Sequence, residues 1–335
     1  MKCSLTSWIV LPVLCVLLNC AMVKGEQGNW ESDYQTANRK SGEGDYLQAM
    51  KVMLMALAEA EIFGPDDNRV AMTLNNLGTI YQYLGRYTEA EKCYRRSMLI
   101  WQKSGTDFPV HIATSLNNLA SLYKQTGQYS KAEKLYQESL RLRVKVLGPN
   151  HPDVATTLNN LGSLYRTLDA NEKAESYYRQ ALAILEMARG KEHQDVATCL
   201  NNLAALSHAR GEHETAITLL EQAVGIWEKT LGTKHPKLVI GLNNLAVLYC
   251  ETGQYEQAEP LLKRGLSIAD SAYGPDHPDT AWTLSNYAAL LRATGRKREA
   301  KQMEKQAQSI LDRYARTNPR QPIVDVSEWL TFRQK

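Results

Sequence analysis

Residues 147–165 read LGPNHPDVATTLNNLGSLY, and this stretch decides the fold. Gly148-Pro149 stops one helix, and Pro152 stands just inside the start of the next. The tetrapeptide Leu158-Asn159-Asn160-Leu161 occurs upstream as Leu116-Asn117-Asn118-Leu119 and Leu74-Asn75-Asn76-Leu77. Downstream it returns as Leu200-Asn201-Asn202-Leu203, as Leu242-Asn243-Asn244-Leu245 and, loosened, as Leu284-Ser285-Asn286-Tyr287. Every step is 42 residues, and registered copies at a period of this length mark a stacked repeat architecture.

One unit, Val110 to Leu147, shows what the repeat is. Leu116, Leu119, Ala120 and Tyr123 follow the three-and-one spacing of a single helical stripe. Gly127 breaks that helix, and Tyr129 begins a second one with Ala132, Leu135, Tyr136, Ser139 and Leu140 on one face. Small residues recur in the first helix at Gly78, Ala120, Gly162, Ala204, Ala246 and Ala288. They recur in the second at Ala90, Ala132, Ala174, Ala216, Ala258 and Ala300. Two such positions facing each other let the helices approach closely. The unit is a helical hairpin whose apolar face is buried only by stacking on the next unit.

The chain has 335 residues with 17 Tyr against 3 Phe, and no stretch carries the alternation of a strand. A formal net charge of +3 gives no polybasic footprint, so no nucleic-acid partner is expected. The N-terminus differs from the rest. Lys2 precedes an apolar run from Trp8 to Leu18, followed by Val23-Lys24-Gly25, the pattern of a secretory signal too short to span a membrane. Cleavage after Gly25 predicts an exported protein, periplasmic or secreted. Alternatives are lipid attachment at Cys20, after the poorly suited Asn19, or an uncleaved anchor. Either of these is the chain's expected route to a membrane. The expected organisation is a signal at 1–25, the repeat array at 26–313 and a tail at 314–335. Outside the signal only Cys93, Cys199 and Cys250 remain. They are odd in number and lack metal spacing, so neither a disulfide nor a metal site is predicted.

Leu77-Gly78, Tyr81, Gly85, Tyr87, Ala90, Tyr94 and Ser97 resemble the tetratricopeptide motif. The 42-residue length, with a linker like that of 147–165, is similar to the kinesin-light-chain-like subfamily. A looser copy at Trp30 to Ala60, with Gly44, Tyr46 and Ala49, extends the resemblance to about seven helix-turn-helix repeats. The resemblance implies an all-α fold: a right-handed α-solenoid whose first helices line a concave groove. It implies a scaffold that binds a protein or peptide ligand, with no enzymatic activity and no cofactor.

The paired asparagines are the most informative positions, because Asn in a helix interior costs several tenths of a kcal/mol against Ala. By the repeat register Asn75, Asn117, Asn159, Asn201 and Asn243 face the groove. There they bond the main chain of an extended peptide or, alternatively, each other or water. The second of each pair leans toward the neighbouring repeat, to satisfy a loop or helix-end backbone group. Ser121, Lys124, Ser163 and Arg166 make the middle of the groove polar and basic, while Trp282, with Arg292 beside it, makes its C-terminal end more apolar; the alternatives are an ordinary solvated surface for Lys124 and Arg166 and plain packing of Trp282 on the preceding repeat. A ligand with acidic and aromatic residues is the expectation. Thr79, Ser121 and Ser163 stand where a carboxylate clamp would need further cations, so that activity is not carried over. His151, His193, His235 and His277 repeat every 42 residues before helix starts and are read as caps. The tail, with Asp325, Glu328 and Trp329, either packs on the last apolar face or occupies a groove. The rival to groove binding is a structural assembly element that uses convex or terminal surfaces.

Overall fold

The computed structural model describes residues 29–104 and 109–317. The expected signal, Cys20 and the tail beyond 317 lie outside the described residues. Among the described residues the only regular elements are α-helices, in seven hairpins. Their first helices are α1 (Trp30–Gly42), α3 (Asn68–Tyr83), α5 (Pro109–Gln125), α7 (Pro152–Thr167), α9 (Gln194–Ala209), α11 (Lys237–Glu251) and α13 (Pro278–Ala293). Their second helices are α2 (Tyr46–Ile62), α4 (Tyr87–Lys103), α6 (Tyr129–Leu147), α8 (Asn171–Arg189), α10 (His213–Leu231), α12 (Tyr255–Tyr273) and α14 (Lys297–Thr317). No described helix is long and apolar enough to cross a membrane.

Local chemistry sets the hairpins. Each turn between paired helices holds one left-handed residue, a glycine in six hairpins and Asp169, at φ 56°, in the fourth. The histidine series does cap: the Nδ1 atoms of His151, His193, His235 and His277 accept the backbone N–H two residues ahead, at 3.1–3.2 Å. The small positions bring paired helices together. Ala90, Ala132, Ala174, Ala216, Ala258 and Ala300 are all fully buried. A Cβ at Gly162 would lie 2.6 Å from the Tyr178 ring. Ser97 and Ser139 donate to the carbonyls of Ala71 and Ala113 at 2.7 Å, tying second helices back to first ones. Cys93, Cys199 and Cys250 are free and buried, and burial pushes each thiol up to about 12.

Each second helix packs against the first helix of the following hairpin, and first helices also touch first helices of neighbouring hairpins. The first helices therefore take the inner path of a curved stack. The curvature is strong enough that the array meets itself. His235 Nε2 lies 3.0 Å from the Gly42 carbonyl, and Tyr46 stacks on Tyr83 at 4.5 Å and on Tyr273 at 5.8 Å. One repeat further on, Tyr314 donates to the Gly85 carbonyl at 3.0 Å and packs edge-on against Tyr87. The turns of hairpins one and two thus sit on the segments that lead into hairpins six and seven. Tyr314 was expected in the tail, but α14 continues to Thr317 and buries it in this seam.

Two seam histidines are held neutral by burial. For His235 desolvation lowers the pKa, opposed by the Gly42 carbonyl and reinforced by Lys237. For His277, stacked on Tyr273 at 4.5 Å, desolvation outweighs the Asp279 carboxylate and the Tyr83 carbonyl. A buried base whose native pKa is depressed stabilises the fold fully above its ordinary value of about 6.5. That stability is lost as pH falls through the native value. Thermal melts are therefore expected to lose several degrees between about pH 7.5 and about pH 5. His277→Asn, which keeps a capping side chain, should flatten that dependence, and an unchanged slope would remove His277 from the account. Gly44 has φ +80°, and a Cβ there would lie 2.1 Å from Pro236 Cδ. Gly44→Ala should therefore open the seam, with a larger radius of gyration by solution scattering at unchanged helical circular dichroism.

Candidate functional site

The paired asparagines build a ladder through the inner face. Asn118 Nδ2 donates to Asn75 Oδ1 at 3.3 Å, and Asn160 donates to Asn117 at 3.1 Å. The pattern continues from Asn202 to Asn159 at 3.1 Å and from Asn244 to Asn201 at 3.2 Å. At the N-terminal end Asn76 donates instead to Asn38 at 2.8 Å and to Tyr34 at 3.0 Å. The second asparagine does reach the neighbouring repeat, as the register implied. Its partner there is the first asparagine rather than a loop or helix-end backbone group, because the inner helices run close enough for amide to meet amide. Asn117, Asn159 and Asn201 are accordingly 3–9% exposed.

A second row runs beside the ladder. Gln82 donates to Ser121 at 3.1 Å and to Gln125 at 2.8 Å, and Lys124 donates to Ser163 at 2.6 Å. Lys124 and Ser163 are both buried. Arg166 comes next in the row, but Ala205 stands where its hydroxyl partner would be. The half-buried Arg166 keeps buried Nε and Nη2 atoms with no hydrogen-bond partner among the described residues. Asn243, at 0% exposure, likewise has both amide atoms unpartnered there. Trp282 is half-buried on the same face. Arg292 turns outward instead and pairs with Glu304 of its own hairpin at 2.5 and 2.7 Å, which holds that carboxyl low.

Arg143 was not singled out in the sequence. It stands where Trp101 and Trp227 stand in other repeats, and it is 4% exposed. Its guanidinium donates to the Asp153 carbonyl at 2.7 Å and to Thr157 at 2.9 Å, and burial lowers its pKa. A cation at an otherwise apolar register position was the signal that could have found it.

A family model described as tetratricopeptide repeat matches residues 40–107, 111–187, 170–229, 195–271 and 238–313. The chain belongs to the tetratricopeptide-repeat family. Such proteins in general mediate protein–protein interaction. A chain of the APC/C hetero-tetramer Cut9-Hcn1 is 16% identical, with a TM-score of 0.61 over 90% of this chain and 50% of that one. The apo form of RapI is 14% identical, with a TM-score of 0.58 over 86% of this chain and 99% of that one. BtubC (BKLC) from P. vanneervenii is 23% identical over 74% of this chain and 94% of its own, with a TM-score of 0.49. At these identities the likeness of the first two bears on the fold alone. No curated protein matches the chain.

The ladder makes a stability prediction for this tetratricopeptide array. Asn160→Ala leaves the Asn117 carbonyl buried and unpaired, which should cost about 1–3 kcal/mol in chemical denaturation. In a double-mutant cycle with Asn117→Ala, a coupling of about 0.5–1.5 kcal/mol is expected. Additive effects would mean that the two amides act independently.

Proposed function

We propose that this tetratricopeptide-repeat protein is an interaction scaffold that holds an extended segment of a partner protein along its inner helices, without catalysis. The reading rests on one observation: on a face where most polar side chains bond the next repeat, Arg166 retains unpartnered N–H groups. A guanidinium on such a face is suited to a carboxylate, which it grips through paired charge-assisted hydrogen bonds. Asn243, two repeats along the same face, is fully buried and out of a ligand's reach. The half-buried Trp282 offers an apolar contact one repeat further on. The preferred ligand is a peptide with an acidic residue and an aromatic or aliphatic anchor. Lys124 and Ser163 shape this surface by bonding each other, Ser121 by accepting from Gln82, and Asn75, Asn117, Asn159 and Asn201 by accepting from the second asparagines of the following repeats. We place the protein outside the cytoplasm on the strength of the segment from Lys2 to Gly25.

The test is selection of peptides from a random display library on the immobilised full chain. Enriched sequences should carry an acidic residue beside an apolar anchor. Arg166→Gln should weaken the selected peptide by about tenfold or more, since a charge-assisted bond contributes about 1.5–3 kcal/mol. If no sequence is enriched, or Arg166→Gln binds as the parent does, the inner face is a bystander. The assembly reading would then take its place.

A further inference from the structure

Away from the inner row, the junction between hairpins five and six gathers three metal-ligating groups. His208 lies in the last turn of α9, His213 is the first residue of α10, and Glu251 is the last residue of α11. No other hairpin has histidine at either of the first two positions, or a carboxylate at the third. All three departures from the repeat therefore fall at one junction. His208 Nε2 lies 2.7 Å from Glu251 Oε2, and His213 Nδ1 lies 3.8 Å from that same oxygen. One donor atom from each residue fits within 4.8 Å of the others. His213 Nδ1 is shielded from solvent and has no hydrogen-bond partner among the described residues. The side chains stay reachable, at 22%, 40% and 20% exposure for His208, His213 and Glu251.

We propose that His208, His213 and Glu251 bind one divalent transition-metal cation of the zinc type. Two imidazoles and a carboxylate are the borderline-soft donors such a cation takes, with a water in the remaining position. Ligand bonds of about 2.0–2.2 Å place tetrahedral donor atoms roughly 3.3–3.5 Å apart. His208 Nε2 and Glu251 Oε2 bind the ion with no proton between them, so that pair opens slightly. His213 draws in through its unpartnered nitrogen. His208 then carries its proton on Nδ1, and the carboxylate offsets part of the cation's charge. The nearby Arg210 is already engaged by Glu175 of the preceding hairpin. The ion would clasp hairpin five to hairpin six, independently of any peptide on the inner face. A plain His–Glu hydrogen bond accounts for the 2.7 Å contact, but it leaves His213 Nδ1 without a partner and without a reason to be buried.

The test uses the full chain freed of metal by chelation and titrated calorimetrically with zinc chloride. Cobalt(II) chloride gives an independent absorption readout of the ligand field. One equivalent should bind with a Kd of about 1 µM or tighter and raise the melting temperature. His213→Ala and the isosteric Glu251→Gln should each weaken binding by about tenfold or more, with the fold verified by circular dichroism. His193→Ala, a helix-cap change in the same hairpin, should bind zinc as the parent does. The assignment is overturned if the parent binds zinc only at millimolar concentration, or if both variants bind with parental stoichiometry and affinity.

Discussion

Amide bonds between consecutive repeats are the constraint on which the rest of the molecule depends. Neighbouring positions on a helix point about 100° apart, so two adjacent asparagines cannot serve the same partner. One carbonyl receives from the repeat ahead while the other amide reaches to the repeat behind, as in the Asn160–Asn117 and Asn202–Asn159 bonds. Apolar stripes alone would tolerate a slip in how one hairpin rides on the next. A buried amide does not, because losing its partner costs about 1–3 kcal/mol. The ladder therefore holds each stacking step to one register, and a small rotation repeated at every step becomes curvature.

That curvature brings the seam into being. Hairpins one and two meet hairpins six and seven in corresponding ways, through Tyr46 against Tyr273 and Tyr87 against Tyr314. The contact works only because the early turns present glycine. Gly44 lies against the Pro236 ring and Gly85 lies close to His277 and Tyr314. The repeat histidines thereby acquire a second task at this site. His151 and His193 cap helices, whereas His235 and His277 also sit against carbonyls of the first two hairpins, where burial suppresses their charge.

Much of the fold was legible in the residues. The 42-residue step, the small positions and the capping histidines each have a local physical cause, and the structure places helices and turns accordingly. The candidate site was less legible. Lys124 and Ser163 were read as groove-lining groups, yet they bond each other across a repeat boundary, and Arg292 is held by Glu304. Arg166 stands out only once Ala205 is seen to interrupt the row. The His208–His213–Glu251 cluster escaped notice because its members combine a helix end, a turn and the next repeat.

The sequence by itself determined the architecture: a periodic pattern of apolar, small and capping residues permits helical hairpins and requires them to stack. Tertiary structure alone decided how far the stack curves, which ends touch and which polar groups are left without partners. Those outcomes depend on rotations accumulated over several repeats and on groups 39 or more residues apart, such as Lys124 and Ser163 or His235 and the Gly42 carbonyl. No local pattern encodes a sum of that kind. A repeat advertises its own fold in every copy, but the departures that make one copy different acquire meaning only beside the neighbours they fail to match.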